Sequence, residues 1–457
     1  MGSHGDNFAD SPLTAVAQQL HLSPTLQINE ASRLRAEKGL PVVRLGFGEA
    51  TFPIQKDVLA AHRDASESTS YLPVAGLLEL RQSIAAFQSR RLGCPVSASQ
   101  VVVAPGSKPL LFALFDILQG DVLLPRPSWV SYEPQVAHAG KKLFWVETDA
   151  VDRHTITAES LEASYTKALA EGARPRMLLI NSPSNPTGRV FSEATLQTIT
   201  AFCDAHEIVL LSDEIYSDIV FDETFTSAPS PCGNGAFNTG LKIMTGGLSK
   251  TYSAGGWRVG YAIVQDTAFG TTVQKALLAY ASECWSAASS PAQAAAAVAF
   301  STTPAMDNYR SQVARLHRQC ARGLYCGLKE CGLDVAKPQG SFYVYPSFSP
   351  YAAQLRALGI HTSLELSHWL LQECGVAALP GSAFGEVDDD SVPGGQYRLR
   401  MATSYLYFKD EAERYGTGYD LLAKATSKAD ADISLPLLRE AIQAVHTAVE
   451  KLKAVEV

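Results

Sequence analysis

The sequence predicts an α/β protein with a large three-layer domain, built on a mostly parallel seven-stranded sheet, and a smaller α+β domain. Between residues 100 and 265, short apolar or β-branched runs alternate with turns and amphipathic stretches, which is typical of strands alternating with helices. Some of these runs, such as Met177–Ile180, are apolar at every position. This pattern indicates strands that helices cover on both faces.

Seven runs in this region are predicted as strands of the sheet. They are Val101–Ala104, Val122–Pro125, Lys142–Val146, Met177–Asn181, Val209–Ser212, Lys242–Thr245 and Val259–Val264. Helical periodicity occupies several of the intervals; in Glu193–Cys203, for example, Leu196, Ile199 and Cys203 fall on one face.

After residue 305 the pattern changes, which predicts a second domain. Long helices are expected over Asp307–Cys331 and Leu435–Leu452. Short strands are expected between them, at Leu333–Ala336, Ser341–Tyr345, Val376–Leu379 and Tyr397–Met401. We therefore divide the chain into a large domain of residues 56–305 and a small domain of residues 1–55 and 306–457, with a polar insertion at 409–433.

The composition is that of a globular protein with a large interior. Hydrophobic residues make up 46% of the 457 residues and charged residues only 18%, so ample apolar surface is available to offset chain entropy. Acidic residues outnumber basic ones by 46 to 38, and no Lys/Arg-rich run occurs, which argues against nucleic acid as a partner. Because no apolar run of about 18 residues and no signal-peptide core occur, we expect a cytoplasmic protein that does not enter a membrane.

A lysine and an arginine stand close together after the sixth predicted strand. Lys250 ends the segment TGGLSK, and Arg258 follows eight residues later in GGWR. A lysine at a strand end is ordinarily a solvated surface charge. Small residues, however, let the backbone approach a ligand, and an arginine fork suits a phosphate. The two residues together indicate half of a site for a phosphorylated, aldehyde-bearing cofactor.

Further polar residues follow two other predicted strands. Asp213 directly follows the strand at 209–212 and Tyr216 lies three positions later, while Asn185 lies in the loop NSPSNPTG after the strand at 177–181. Ligands of open α/β sheets bind beyond the carboxyl ends of the strands, where these residues would lie. Taken singly, each motif has a structural alternative, because Asp213 could be a helix N-cap and the loop a rigid turn.

Together and in this order, the three motifs resemble those of the fold-type I pyridoxal-phosphate enzymes, the aspartate aminotransferase superfamily with its class I and II aminotransferases. The resemblance extends from about Leu45 to Ala402. Further segments that fit the family are Tyr71, Gly76 and Leu80-Arg81, PGSK at 105–108, PSW at 127–129, GSFY at 340–343, PGSAFG at 380–385 and RLRMA at 398–402.

The resemblance implies how the chain would hold pyridoxal 5'-phosphate. Lys250 would form an aldimine with the cofactor and then move protons on the substrate, while Asp213 would pair with the pyridine nitrogen. Tyr216 and Asn185 would hydrogen-bond the phenolic oxygen of the ring. Trp129 would stack on the ring, with an ordinary core tryptophan as the alternative.

A second group of residues would bind the phosphate. The resemblance assigns this role to Arg258, Ser249, Ser107 and Lys108, the last two through their backbone at a helix N-terminus. Tyr71 would reach the site of the neighbouring subunit, which implies a homodimer; an ordinary core or surface tyrosine is the alternative. No metal ion is implied.

The resemblance also indicates where an amino acid would bind. Arg398 would clamp the α-carboxylate, with Arg400, two residues along the same strand face, as the alternative. The other substrate-binding residues would be Gly48, Asn185, Trp129 and Lys108. Lys108 would favour an acidic substrate if it met a second carboxylate, whereas a solvated lysine at the helix start fits the sequence equally well.

Three stretches depart from the family pattern. Ala50-Thr51-Phe52 replaces the usual Pro-Asp-Phe in a segment that lines the substrate pocket, and Ala254-Gly255 replaces Met-Thr before GWR. The polar insertion at 409–433 is also atypical. Because the cofactor residues remain intact, these departures bear on the choice of substrate.

We expect an aminotransferase that moves an amino group between an L-amino acid and a 2-oxo acid by a ping-pong mechanism through the Lys250 aldimine. The same residues would also serve elimination, cyclisation, decarboxylation or oxidation, because the cofactor supplies the bond-breaking chemistry. A cofactor-binding regulator is a less favoured alternative. Such proteins carry a basic DNA-binding domain in front, and only about 45 residues precede the matching region here.

Overall fold

The fold is built on one seven-stranded sheet and a set of short strands. The structure is a computed structural model, and it describes residues 13, 17–18, 22–148, 154–222, 224–228, 241–388, 397–425 and 433–457. The strands are β1 (Val43–Arg44), β2 (Val101–Ala104), β3 (Asp121–Arg126), β4 (Leu143–Glu147), β5 (Pro175–Asn181), β6 (Val209–Asp213), β7 (Lys242–Gly247), β8 (Gly260–Val264), β9 (Tyr343–Val344), β10 (Val376–Ala377), β11 (Leu379–Pro380) and β12 (Leu399–Ala402). The large sheet has the order β2-β8-β7-β6-β5-β3-β4. β8 pairs antiparallel with β2 and β7, and the other pairs of this sheet are parallel, so the predicted mostly parallel sheet is confirmed.

Helices lie between the strands of the sheet and also before and after them along the chain. They are α1 (Pro24–Glu37), α2 (Lys56–Asp64), α3 (Leu78–Leu92), α4 (Ser107–Ile117), α5 (Tyr132–His138), α6 (Ala158–Ala170), α7 (Glu193–Ala205), α8 (Ala268–Cys284), α9 (Ser290–Ala299), α10 (Pro304–Glu330), α11 (Ala352–Ala357), α12 (Ser363–Cys374), α13 (Glu411–Lys424) and α14 (Pro436–Lys453). Several begin where a side chain caps them; the Thr157 and Ser192 hydroxyls accept from backbone N–H groups in the first turns of α6 and α7. The predicted helices at 193–203, 307–331 and 435–452 correspond to α7, α10 and α14.

The large sheet is buried on both faces. Leu178 and Leu210 pack into one apolar cluster, whereas Met177 and Leu211 pack into another on the opposite face. Successive side chains of a strand point to opposite faces, so a run that is apolar at every position suits a sheet between two helical layers. The three-layer arrangement predicted from such runs is confirmed.

The remaining strands join distant parts of the chain. β1 pairs in parallel with β10, and β12 lies between β11 and β9 in a three-stranded antiparallel sheet. The N-terminal segment therefore contacts the C-terminal part of the chain, as expected for a small domain made from both. The division at residues 55 and 305 stays a prediction.

One expectation for the C-terminal part differs from the structure, and the polar insertion at 409–433 stays a prediction. Residues 333–336 form no strand, and Asp334 makes only an isolated bridge to Ser347. The segment predicted as a polar insertion at 409–433 contains the helix α13, whose Gly418 and Leu422 are buried; part of the segment, residues 426–432, lies outside the described residues. No helix in the described ranges has both the length and the apolar character needed to cross a membrane.

Candidate active site

Three neighbouring strands of the large sheet end in polar residues that face one another. The register pairs Asn181 of β5 with Asp213 of β6, and Asp213 with Thr245 of β7. The Asp213 carboxylate accepts hydrogen bonds from the hydroxyls of Thr245 (3.1 Å) and Tyr132 (2.7 Å), and the Asn181 amide donates to the Asp213 backbone oxygen. We call Asn181, Asp213, Thr245 and Lys250 the cofactor wall.

The Asp213 carboxylate is deeply buried, with only 3% of the residue exposed. Burial raises the pKa of Asp213, although the hydrogen bonds from Tyr132 and Thr245 act in the opposite direction. A buried carboxylate of this kind is stabilised by a cation placed beside it. The site is therefore suited to a ligand that presents a protonated nitrogen to Asp213.

Lys250 lies in the turn that follows β7. Its Nζ donates a hydrogen bond to the backbone oxygen of Gly48 at 2.7 Å. Burial, reinforced by the positive charge of Arg400, lowers the pKa of Lys250 to about 8. A lysine with a lowered pKa holds a larger share of neutral amine near neutral pH, so Lys250 is suited to attack an aldehyde.

Another part of the cavity comes from segments far apart in the sequence. Arg400 donates from one Nη to the Asn185 side-chain oxygen at 3.3 Å and from the other to the Gly46 backbone oxygen. Its guanidinium lies 4.7 Å from the centre of the Tyr343 ring. A Cβ atom on Gly48 would lie 2.2 Å from the Tyr343 hydroxyl, so only glycine allows this approach. We call Gly48, Tyr343 and Arg400, which line the cavity, together with Gly46 behind Arg400, the substrate wall.

Tyr216 and Tyr343 connect the two walls. Their hydroxyls share a hydrogen bond of 2.7 Å, and both side chains are buried. Tyr216 was predicted as a site residue, whereas Tyr343 was assigned no role. The sequence feature that could have identified Tyr343 is the segment GSFY at 340–343, which fits the family pattern and ends at this residue.

Arg400, on β12, and Arg398, directly before it, are placed differently from the expectation. Arg400 is buried, and its Nε has no hydrogen-bond partner among the described residues. Arg398 is also buried and its Nε likewise has no hydrogen-bond partner among these residues, although it lies 3.8 Å from a carboxylate oxygen of Glu386. It is not among the described residues that line the cavity, so the geometry favours Arg400 where the sequence favoured Arg398.

A glycine and an arginine meet at the start of α4. Gly106 precedes Ser107 with φ of 96°, and a Cβ atom there would lie 2.2 Å from Nη2 of Arg258. Gly260 likewise allows its backbone to approach the Ser107 backbone nitrogen. Free backbone N–H groups at a helix N-terminus together with a guanidinium form an anion site, which suits a phosphate.

Lys108 and Trp129 form the outer part of the cavity. The Lys108 Nζ lies 4.9 Å from the centre of the Trp129 ring, and this ring packs edge-on against Tyr132. Burial, together with the nearby charge of Arg258, lowers the pKa of Lys108. Trp129 is thus neither a fully buried core residue nor a free surface residue, because it borders the cavity.

One cavity of about 490 Å³ brings most of the predicted site residues together. The predicted residues on its surface are Gly48, Ser107, Lys108, Trp129, Asn185, Asp213, Tyr216, Ser249, Lys250 and Arg258. Tyr71 does not line it and is 98% exposed. A buried carboxylate, an amine of lowered pKa and an anion site therefore share one cavity.

Residues 41–404 match the model of the family described as aminotransferase class I and II. The chain belongs to this family. It is a pyridoxal-phosphate-dependent transferase that moves amino groups, as its relatives support. The relatives do not favour the alternative chemistries of the same cofactor.

Similar proteins cover nearly the whole matching region. The aspartate aminotransferase of Geobacillus stearothermophilus is 33% identical over 401 residues, 86% of this chain and 95% of that protein. A probable aspartate/prephenate aminotransferase of Aquifex aeolicus is 32% identical over 381 residues, 82% of this chain and 91% of that protein. The structure of the Thermus thermophilus aspartate aminotransferase with maleate superimposes with a TM-score of 0.75 at 27% identity, over 91% of this chain and all of that one.

The residues present fit pyridoxal phosphate at three of its groups. Asp213 offers a buried carboxylate to a protonated ring nitrogen, and Lys250 offers an amine to the aldehyde. The Arg258 guanidinium lies against Gly106 at the start of α4, since a side chain at position 106 would collide with it, so a cation and a helix N-terminus adjoin as a phosphate site requires.

Proposed function

We propose that the protein transfers the amino group of an acidic L-amino acid, aspartate or glutamate, to a 2-oxo acid in a ping-pong reaction. The observation that supports this substrate class is the charge of the cavity, whose lining contains the cations Lys108, Lys250, Arg258 and Arg400 and the anions Glu49 and Asp213. Arg258, Asp213 and Lys250 match groups of the cofactor. Arg400 and Lys108 then remain to meet two substrate carboxylates.

The cofactor, when bound, supplies an electron sink that stabilises negative charge at the substrate α-carbon. Asp213 would keep the ring nitrogen protonated, and the Lys250 Nζ would take up and return the proton of the α-carbon. Tyr216 and Asn185 would orient the ring from the substrate side, and Trp129 would cover it. Each role is supported by the place of the residue on the cavity surface.

We propose that Arg400 binds the substrate α-carboxylate. Its guanidinium is held by Asn185 and Gly46, yet its Nε finds no hydrogen-bond partner among the described residues. A buried guanidinium with an unused donor is costly unless a ligand completes it. The Arg398 Nε also lacks a hydrogen bond, but it lies within ion-pair distance of Glu386, and Arg398 does not line the cavity as Arg400 does.

We further propose that two copies form a homodimer in which Tyr71 enters the neighbouring site. A tyrosine with 98% exposure is unusual on a monomer surface, and a partner would cover its apolar ring. The proposed compartment is the cytoplasm. Cys94 is disulfide-bonded, a state that is uncommon there, so the redox state of Cys94 in the purified protein tests this point.

A panel of amino acids mixed with the cofactor-loaded protein tests the substrate class. We expect aspartate and glutamate to convert the cofactor to its amine form, with release of the matching keto acid, at least tenfold faster than alanine or phenylalanine. Lys108→Ala should reduce this preference, and Lys275→Ala, on the exposed face of α8, should leave it unchanged. Equal rates for all four amino acids would contradict the proposed substrate class.

A further inference from the structure

Helix α13 lies against the segment that carries part of the cavity. Arg414 of α13 donates from Nε (3.0 Å) and Nη2 (2.7 Å) to the backbone oxygen of Phe52. The same Nη2 donates to the backbone oxygen of Ser253 at 3.3 Å. One guanidinium thus connects two segments that are about 200 positions apart in the chain.

The two segments joined by Arg414 also meet at Lys250. The Phe52 backbone N–H donates to the Ser253 hydroxyl at 3.0 Å, and the Ser253 backbone N–H donates to the Lys250 oxygen at 3.3 Å. Four residues before Phe52, the Gly48 oxygen accepts the hydrogen bond of the Lys250 amine. These contacts form a closed ring that runs from Lys250 through Ser253 and Phe52 back to Gly48, and Arg414 holds its outer side.

Helix α13 is docked by several contacts that do not involve Arg414. The Tyr419 hydroxyl donates to the Ile54 backbone oxygen at 2.8 Å. At Gly418 a Cβ atom would lie 2.8 Å from a ring carbon of Pro53, so the absence of a side chain lets the helix approach. The Asp410 side chain caps the first turn by accepting from the Glu413 N–H. Arg414 therefore reaches its two carbonyl groups from a well-supported helix.

We propose that Arg414 is a positioning residue for the amino-transfer reaction, because it holds the Gly48 carbonyl and the Lys250 turn at a fixed separation. The proposal rests on the role assigned to Lys250. A guanidinium is suited to this task, since it stays charged and its planar fork can donate to two acceptors at once, whereas an ammonium is a single point charge. Displacing a reacting group by about 1 Å can cost on the order of 100-fold in rate.

Arg414→Ala in the cofactor-loaded, full-length protein tests the proposal. We expect kcat with the best amino donor of the wild type to fall about tenfold or more, with a change in KM of less than threefold. The pH at which the visible absorbance of the bound cofactor changes should also move. Arg414→Lys should fall between the wild type and the alanine variant, because an ammonium can engage only part of the two-carbonyl arrangement.

Tyr419→Phe provides the matched control. It removes a hydrogen bond from the same helix to the same segment but leaves the contacts of Arg414 to Phe52 and Ser253 in place. We expect a loss of thermal stability with an unchanged absorbance titration and an unchanged kcat. If the two variants lowered kcat equally, or if Arg414→Ala left the titration and kcat at wild-type values, Arg414 would be only a structural contact and the proposal would be wrong.

The test separates this proposal from the substrate class. The acidic preference is read from the wild-type panel, whereas the effect of Arg414 is read with whichever donor the wild type uses fastest. Should Arg414→Ala fail to fold, Arg414→Lys compared with Tyr419→Phe decides the outcome by the same two measurements.

Discussion

The cofactor wall and the substrate wall of the cavity are built in different ways. On the cofactor wall, Asp213 is hydrogen-bonded to Asn181 and Thr245, each only 32 positions away, at the ends of adjacent parallel strands. On the substrate wall, Arg400 reaches Gly46 across 354 positions. The first wall follows from strand register, whereas the second depends on the docking of remote segments. Groups that react with the cofactor therefore lie on the more regular scaffold.

Loss of the Lys250 amine is expected to have the largest effect. Lys250→Ala removes the group that binds the aldehyde and moves the proton, so the rate of the half-reaction should fall on the order of 10⁴-fold. The visible absorbance band of the wild type should change in the same variant. Lys275→Ala is the control for a lysine on the surface. If the variant without Lys250 still transferred amino groups at a near-normal rate, the catalytic role assigned to Lys250 would be wrong.

The substrate wall is tested by exchanging its two arginines in turn. Arg400→Gln should raise KM for the amino donor about 100-fold, because a carboxylate would lose its charged partner in a buried site. Arg398→Gln should change KM much less, since Arg398 faces Glu386, and should instead lower thermal stability. Steady-state kinetics with both variants decides between them; the opposite order would restore the assignment favoured by the sequence.

A smaller effect is expected where the cofactor wall meets the phosphate. Gly106→Ala would place Cβ 2.2 Å from Nη2 of Arg258 and also strain a backbone with φ of 96°. Gly140→Ala has a positive φ of 68° but open space around it, so it measures backbone strain alone. We expect weaker cofactor binding for Gly106→Ala only, measured as a dissociation constant. Equal cofactor affinity in the two variants would argue against an anion site at this place.

The smallest effect concerns the pH dependence of stability on the substrate side. Burial raises the pKa of Glu386 to about 7, so the folded protein binds a proton there that the unfolded chain releases near its ordinary pKa. Stability from this group is therefore present at low pH and is lost as the pH rises from about 4.5 towards 7. Glu386→Gln, which cannot ionise, should flatten the fall in melting temperature across this range. An identical slope for variant and wild type would show that Glu386 does not titrate there.

The large sheet and the cofactor wall could be predicted from the sequence for a physical reason. Each of the seven strands is an apolar run, and the polar residues directly after β5, β6 and β7 must lie at one edge when the strands are parallel. The sequence alone therefore predicts that Lys250, Asp213 and Asn185 lie together. All three line the cavity.

The substrate wall was less accessible because its contacts are not local. Arg398 and Arg400 share one face of a strand, so periodicity cannot distinguish them, and the separation follows only from Glu386 beside the first and Asn185 beside the second. Tyr343 belongs to a segment that fits the family pattern, but it lies within a predicted strand and not after one, so strand ends did not predict its place in the site. The polar composition of residues 409–433 predicts an insertion but does not reveal the contacts at Arg414, Gly418 and Tyr419 that dock α13.

The contact between Arg400 and Gly46 has a consequence for the order of synthesis. A ribosome releases Gly46 long before it makes Arg400, so a growing chain can pair β5, β6 and β7 while the substrate wall does not yet exist. Among the described residues that line the cavity, Arg400 is the last in the sequence, so it is the last of these groups that the ribosome adds.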